Sequence, residues 1–308
     1  MAPIHDNIQP LLHSILSLQP TIDQLSKCFR EGLGPDDNRA FDKNSADDWR
    51  VNIYGNALVR LRLILENNFR VVETLGLVAV TRYIFELTLW LELIQQNEKY
   101  ALIYRRRLID TQKRYYEASL QQFEREVAML EAFGEKDSNG ADTAIKKIRA
   151  LSNPTPEEIS AIFAQARDET DAKADRSFSI FSEQAKTNGY GFQAHLVRTQ
   201  AIPKVKDSIR QLQQELDEFD RETFPKVSDL LQCSKWDKMA EEAGKTSEYE
   251  YIYSYTSKLL HCTPASVTTD QKSLEPEEMV VFLRYIHTKI RDVIDLALKQ
   301  PECRLRIG

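Results

Sequence analysis

The chain has 308 residues and 42% of them are hydrophobic, so it can fill one large core or two ordinary ones. Its formal net charge of −6 and its pI near 5.6 exclude a global attraction to nucleic acid or to anionic lipid and leave only local basic faces for such binding. It has only ten glycines and eleven prolines, fewer turn signals than an all-β or alternating α/β chain needs. The composition predicts an all-α protein.

The cysteines are widely spaced and none forms a CxxC pair: Cys28, Cys233, Cys262 and Cys303. This spacing is typical of reduced cytoplasmic thiols rather than of a disulfide frame or a zinc site. No HExxH, GxxxxGK or GxGxxG motif occurs, and residues 1–20 lack the basic start of a secretory signal. We therefore expect a cytoplasmic protein without a metal site or a cofactor.

The first part of the chain predicts short helices followed by longer ones. Residues 8–33 predict two helices separated near Pro20, and residues 34–48 predict a polar loop. Within residues 49–96 apolar side chains recur at steps of three and four, which predicts one or two long helices. Gly76 is the cheapest place for a break between them.

The longest apolar run, residues 75–94, contains Arg82, Glu86 and Glu92. An ionised group near the centre of a bilayer costs a few kcal/mol, so three such residues argue against a membrane span. The run predicts a buried core helix, and we expect no membrane partner.

The middle of the chain predicts a helical hairpin. Apolar residues alternate steps of four and three within residues 98–133 and again within residues 205–219, a narrow stripe typical of coiled-coil packing. Residues 134–142, GEKDSNGAD, predict a loop after the first of these helices. Residues 155–158, TPEE, form a capping box with proline at the first helical position, which predicts a third long helix that ends by residues 189–191.

The last part of the chain predicts three helices. Residues 236–243 predict a short helix that ends at Gly244. Residues 247–250, SEYE, give a capping box for the next helix, which Pro264 ends. Residues 276–300 predict a final amphipathic helix.

Polar side chains at helical spacing predict a polar centre. Tyr253, Ser257 and His261 are spaced i, i+4, i+8 and share one helix face, and Arg82 and Glu86 are spaced i, i+4 on the apolar helix. We expect these five residues to form a buried polar centre. In the structural interpretation, Ser257 bonds its own backbone, His261 stabilises a helix C-terminus, and Arg82 pairs internally with Glu86. In the functional interpretation, Arg82 binds an anion or a phosphate.

A basic run with aromatic neighbours is a candidate nucleic-acid contact. Its members lie beside Tyr104, Tyr115 and Tyr116, and they are Arg105, Arg106, Arg107, Lys113 and Arg114. Interleaved cations and rings can grip a nucleic-acid backbone and stack on bases. The alternative is a solvated charged face of the hairpin, because acidic residues are nearby.

Two motifs resemble an uncharacterised bacterial family of helical proteins. They are Arg82-x3-Glu86 and the later set formed by Trp236-x2-Met239-Ala240, Gly244 and Tyr253-x3-Ser257-x3-His261. The resemblance covers residues 49–103 and 235–298. That family is similar in layout to the HEPN superfamily of four-helix domains, which includes RNases of toxin–antitoxin and antiviral systems and also inactive binding modules. The resemblance implies a HEPN-like core of residues 48–104 and 235–308, a helical insertion of residues 105–234, and peripheral helices within residues 1–47.

The resemblance implies two functions. HEPN RNases use an Arg-x4–6-His motif, but residues 254–256, which would hold that arginine before His261, are Ser, Tyr and Thr. We therefore expect an interaction or effector module in prokaryotic defence or stress response, which binds a second copy or another protein through the long helices. The alternative is a metal-independent RNase in which Arg82 stabilises the phosphate and His261 is the general acid or base.

Overall fold

A computed structural model describes residues 5–32, 41–70, 72–232, 235–261 and 273–303. Throughout these ranges the regular structure is helical, which confirms the all-α prediction. None of the described helices is long and apolar enough to cross a membrane. The chain divides into two compact units, one of residues 1–107 with 219–308 and the other of residues 108–218.

Twelve α-helices make up the described structure. Those that begin in the first unit are α1 (His5–Leu16), α2 (Gln19–Gly32), α3 (Ala46–Asn68), α4 (Thr74–Gln96), α5 (Tyr100–Arg149), α10 (Trp236–Glu242), α11 (Thr246–Leu260) and α12 (Pro276–Leu298). Those that begin in the second unit are α6 (Pro156–Ala174), α7 (Ser182–Asn188), α8 (Tyr190–Leu196) and α9 (Ile202–Glu222). A π-helical segment, Val197–Ala201, joins α8 to α9, and a 3₁₀ turn, Phe224–Lys226, follows α9.

Helices α3 and α4 form the centre of the first unit. The Ser45 hydroxyl accepts a hydrogen bond from the backbone N–H of Asp48 at 3.1 Å and so begins α3. Helix α3 ends at Asn68 and α4 begins at Thr74, so the break comes before Gly76, which was the expected place. Glu73 explains the difference, because its carboxylate accepts from the Gly76 N–H at 3.2 Å and caps α4 there.

The two N-terminal helices contribute to this core, although we expected residues 1–47 to be peripheral. Ile15, Ile22 and Phe29 have no measurable exposed surface. The Phe29 ring stacks on the Tyr54 ring of α3 with centroids 5.7 Å apart. Apolar side chains at helical spacing in α1 and α2 are therefore part of the main hydrophobic cluster, which their short length and flanking prolines did not indicate.

A buried arginine, Arg50 of α3, connects that helix to residues 300–302. Arg50 donates to Gln300 at 2.7 Å, to both carboxylate oxygens of Glu302 at 2.7 and 3.0 Å, and to Asp47 at 2.5 Å. Burial alone would lower the pKa of Arg50, but the hydrogen bonds to Glu302 and Asp47 outweigh burial and raise it. Removing one member of such a network leaves an uncompensated charge, which typically costs about 3–5 kcal/mol.

The predicted loop at residues 134–142 is wrong, because α5 continues through it as one helix of 50 residues. A glycine inside a helix costs only about 1 kcal/mol, and packing of the helix can outweigh that cost. Gly134 lies against the backbone of Gly191, and the apolar cluster around it draws Leu130 and Phe133 of α5 together with Tyr190 of α8. The packing keeps the chain helical where composition alone favoured a loop.

The third long helix is also shorter than predicted. The capping box is confirmed, since Thr155 and Glu158 exchange the expected hydrogen bonds at 3.2 and 2.9 Å. The helix that it begins ends at Ala174, and α7 and α8 cover the segment that was expected to be its continuation. The coiled-coil pairing of the hairpin stays a prediction.

The helix that carries the expected polar centre begins differently from the prediction. Ser247 lies inside α11, whose N-cap is Lys245 without a side-chain cap. Gly244 supplies the positive φ of 69° that turns the chain out of α10, and the short helix before it is confirmed. Helix α11 ends at Leu260, and Pro264, the predicted stop, lies outside the described residues.

Gly134→Ala tests the close approach of α5 and α8. A Cβ at position 134 would lie 3.0 Å from the Gly191 nitrogen and 3.1 Å from its Cα, whereas one at position 140 would meet only Ala166 at 3.7 Å or more. Both alanines gain the same helix propensity, so the difference measures overpacking. We expect Gly134→Ala to be less stable than Gly140→Ala by about 1–3 kcal/mol in urea denaturation. Equal stabilities would contradict the close approach.

Candidate functional site

Four of the five residues of the expected polar centre meet between α4 and α11. Arg82 donates from Nε to Glu86 Oε1 at 3.0 Å, from one terminal nitrogen to the Tyr253 hydroxyl at 2.8 Å, and from the other to the Ser257 hydroxyl at 3.5 Å. The i, i+4 spacing on each helix aligns these side chains, as the sequence predicted. We call this set of four residues the Arg82 site.

Aromatic rings support the guanidinium of Arg82. Its central carbon lies 4.2 Å from the centroid of the Tyr253 ring, within the range of cation–π attraction. Tyr253 in turn stacks on Tyr249 with centroids 4.8 Å apart, and Tyr249 contacts the Phe85 ring of α4 at 6.3 Å. The Tyr253 ring packs against one face of the guanidinium, so the position of Arg82 is fixed by packing as well as by hydrogen bonds.

We expected a buried polar centre, but the Arg82 site lies at the surface of the first unit and is only partly buried. The side chains of Arg82 and Glu86 keep 22% and 23% of their surface exposed. Burial alone would lower the pKa of Arg82, but the hydrogen bond and charge of Glu86, with a smaller contribution from Tyr253, outweigh it and raise the pKa. The arginine is therefore charged, fixed and accessible to solvent.

His261 lies at the end of α11. It is the C-cap of the helix, is exposed, and donates its backbone N–H to the Ser257 carbonyl at 3.1 Å. This position agrees with the structural interpretation, in which a histidine at a helix C-terminus is favoured by the helix dipole. Residues 262–272, which follow it, lie outside the described residues.

A second polar cluster connects α4, α11 and α12, and the sequence analysis did not assign it. Glu92 accepts from Lys245 at 3.2 Å, and Lys289 donates to Glu248 at 3.0 Å and to Asp292 at 2.9 Å. Glu248 also accepts from the Tyr285 hydroxyl. Lys289 could have revealed this cluster, because it is a charged residue within the apolar stripe of α12. In the structure only 8% of its side chain is exposed.

The charges of this second cluster are partly desolvated. Burial raises the pKa of Glu92, and Lys245 and Lys289 oppose that shift without cancelling it. One oxygen of Glu92 is inaccessible and accepts no hydrogen bond within the described structure. Burial and the hydrogen bond to Glu248 raise the pKa of Tyr285, so this phenol stays a donor. The cluster joins three helices at the cost of a desolvated carboxylate.

The basic run does not form one face. Arg105 has 2% of its surface exposed and donates to the Lys43 carbonyl at 2.7 Å and to the Asn44 side chain at 2.8 Å. The same two acceptors also bind Trp49 and Thr223, at 2.9 Å each. Arg105 therefore organises the core, and the expectation that it contacts nucleic acid is wrong because its guanidinium is enclosed.

The other members of the run point in different directions, because successive helix residues are rotated by about 100°. Arg106 pairs with Asp220 at 3.1 Å, and Arg107 lies over the Trp236 ring at 5.0 Å. In the second unit, Lys113 pairs with Glu117 at 2.8 Å and Arg114 pairs with Asp110 at 3.0 Å. This pattern agrees better with the alternative of a solvated, paired charged face.

Possible metal ligands and cysteines were the remaining candidates for a site. No group of three or more histidine, cysteine, aspartate or glutamate side chains in the described ranges could hold a metal ion. Cys28 and Cys303 are buried. Cys233 and Cys262 lie outside the described residues.

Comparison with known proteins adds no relative. No family model, no curated protein and no solved structure matches the chain.

Arg105→Met tests whether this residue is structural. Two hydrogen bonds from a buried charged donor disappear in the variant, and their acceptors lie in the segment before α3. We expect the free energy of unfolding to fall by roughly 2–4 kcal/mol. The matched control is Arg114→Met, whose side chain is 76% exposed and whose loss should change stability by less than about 0.5 kcal/mol. Equal effects in chemical denaturation would contradict the assignment.

Glu92→Gln tests the desolvated carboxylate. Because the pKa of Glu92 is raised in the folded state, folding favours its protonated form, and the stability that this form contributes is lost as the pH rises through the folded pKa. The variant, which is neutral at every pH, should be more stable than the wild type near pH 7. Its advantage should disappear below about pH 4, where glutamate is protonated in both states. Urea denaturation at a series of pH values measures this, and a pH-independent difference would contradict it.

Proposed function

We propose that this protein is a helical interaction module in which the Arg82 site binds an anionic group of a partner. The observation that carries the proposal is the arrangement of Arg82 itself: a charged guanidinium, fixed by residues of two helices, with about a fifth of its surface open to solvent. A fixed guanidinium loses little freedom when it binds, which favours affinity.

The hydrogen-bond capacity of Arg82 supports this function. A guanidinium has five N–H donors, and three of them are directed to Glu86, Tyr253 and Ser257. One donor on each terminal nitrogen has no acceptor among the described residues. The Ser257 hydroxyl lies beside them and can donate to the same group. Such a set suits the oxygens of a phosphate or a carboxylate.

Glu86 limits what the site can do. Its carboxylate lies 3.0 Å from Arg82 and offsets the positive charge, so the site can bind an anion reversibly but stabilises a growing negative charge poorly. For this reason we favour a binding module over the alternative, a metal-independent RNase with His261 as its acid or base. We place the module in the cytoplasm of a prokaryote, in defence or stress response, and the support for that setting is the resemblance to a HEPN-like family.

The long helices supply the surface for the partner that we propose, a second copy or another protein. Helix α5 has 50 residues, and its exposed faces carry paired charges such as Lys113–Glu117. RNA is a weaker candidate, because Arg105 is enclosed and Arg106 is paired with Asp220.

Titration with inorganic phosphate tests the anion site. We expect the NMR signals of the Arg82 Nε–H and of the Tyr253 and Ser257 backbone amides to shift and saturate in the wild type. The two amide signals should show no saturation in Arg82→Gln and weaker binding in Ser257→Ala. Arg114→Gln is the matched control, because Arg114 also pairs with a carboxylate four residues away but is exposed. Equal titration of the Arg114 and Arg82 signals would mean that phosphate screens charges without a site.

Incubation with labelled RNA, with and without EDTA, separates the two functions. The interaction module should leave the RNA intact under both conditions. Cleavage that persists in EDTA and disappears in both His261→Ala and Arg82→Ala would establish the RNase and refute the module.

A further inference from the structure

A groove on the surface of the first unit lies between α3 and α4, with a residue of α5 in its wall. Its volume is about 280 Å³, close to the lower limit of small-molecule sites. Its walls are apolar and aromatic, formed chiefly by Leu63, Tyr83, Leu87, Trp90 and Tyr104. Leu63 and Tyr83 each keep 37% of their surface exposed, so the groove opens to solvent.

One charged residue lines the groove, and it is a cation without an ionic partner. The guanidinium carbon of Arg60 lies 5.5 Å from the centroid of the Tyr83 ring. No carboxylate within the described structure lies within ion-pair distance of Arg60, and no acidic residue lines the groove. Arg62, two positions along the same helix, faces away and lies 3.6 Å from Glu66. The groove therefore combines apolar and aromatic side chains with the polar Asn56 and with Arg60, a solvent-exposed cation that no carboxylate of the described structure pairs with.

Two tyrosines that line the groove, Tyr83 and Tyr104, add hydroxyl groups that can donate hydrogen bonds. Neither Tyr83 nor Tyr104 donates a side-chain hydrogen bond to an acceptor in the part of the chain that the structure describes, although Tyr104 is half-buried. Burial, and to a lesser degree the neighbouring Tyr83, raises the pKa of Tyr104, so its hydroxyl is a donor at neutral pH. Both hydroxyls are accessible to water, so they are available to donate to an acceptor that enters the groove.

The geometry of the walls selects a flat apolar body. The Trp90 and Tyr104 rings meet edge to face with centroids 5.0 Å apart. Trp90 is only 7% exposed and Arg107 lies over its ring, so Tyr104 and the exposed Tyr83 offer the ring surface that another ring can contact. Leu63 of α3 and Leu87 of α4 add apolar contacts. A ring in the groove would thus be held by dispersion and aromatic contacts, and its anionic substituent would lie at Arg60.

We propose that this groove binds a small aromatic carboxylate, with the ring against Tyr83 and Tyr104 and the carboxylate on Arg60. The charge decides the class, because a neutral aromatic leaves Arg60 unpaired and a cationic one meets like charge. The size decides it further, because a cavity of about 280 Å³ holds one or two fused rings and not an extended chain. The site is separate from the Arg82 site and does not depend on the function proposed for it.

Calorimetric titration with 2-naphthoate tests this site on the full chain, with 2-naphthalenemethanol as the neutral control ligand. We expect one 2-naphthoate to bind per chain and the alcohol to bind roughly tenfold or more weakly, since a hydrogen bond to a charged group contributes at least that factor. Arg60→Gln should weaken 2-naphthoate by roughly tenfold to a hundredfold and leave the alcohol unchanged. Arg62→Gln, the matched control on the same helix, should leave both affinities unchanged.

The variants also show when the proposal fails. Absence of 2-naphthoate binding at millimolar concentration, or equal affinities in the wild type and in Arg60→Gln, overturns it. Tyr104→Phe provides a second, conservative measurement, and several-fold weaker binding with an unchanged unfolding midpoint supports the site. A concentration-dependent rise in mass that Arg60→Gln abolishes would show that a second copy fills the groove, which also overturns the proposal.

Discussion

The packing of α11 on α4 depends on the charged residues of α4, which need partners because the rest of that helix is apolar and buried. Helix α4 carries Arg82, Glu86 and Glu92 in an otherwise apolar sequence, and burial of an unpaired charge costs several kcal/mol. Arg82 donates hydrogen bonds to Tyr253 and Ser257 near the end of α11. Glu92 pairs with Lys245, the N-cap of α11. The two helices therefore run antiparallel, and these two contacts fix their register. The tyrosines of α11 fill the space between, with Tyr249 on Phe85.

Two buried arginines play the same part at the edges of the first unit. Arg50 connects α3 to Glu302, and Arg105 connects the segment before α3 to the end of α9 through Asn44, which also accepts from Thr223. Each arginine connects residues that are far apart in sequence. An enclosed arginine that satisfies several acceptors holds such a junction in one geometry, which apolar packing alone does less specifically.

The sequence predicted best where the physical determinant is local. Helical spacing was enough to align Arg82 with Glu86 and Tyr253 with Ser257, and the capping box at Thr155 was read correctly. It failed where a distant contact decides: α5 continues through Gly134 because α8 packs there, and a glycine-containing charged segment does not reveal that neighbour. The arginine run failed for a related reason. Adjacent residues on a helix face different surroundings, and sequence does not say that Arg105 faces the core while Arg114 faces water.

Helix α4 also separates the two candidate binding sites. Arg82 faces α11, whereas Tyr83, one residue later and rotated by about 100°, faces the groove with Leu87 and Trp90. The two faces treat their cations differently. Arg82 is less exposed, but the Glu86 carboxylate offsets its charge, whereas Arg60 has no acidic neighbour in the described structure but is exposed to solvent. Water therefore screens the charge of Arg60, and a ligand in the groove needs apolar contact as well as charge, while the Arg82 site should depend more on the geometry of its hydrogen bonds.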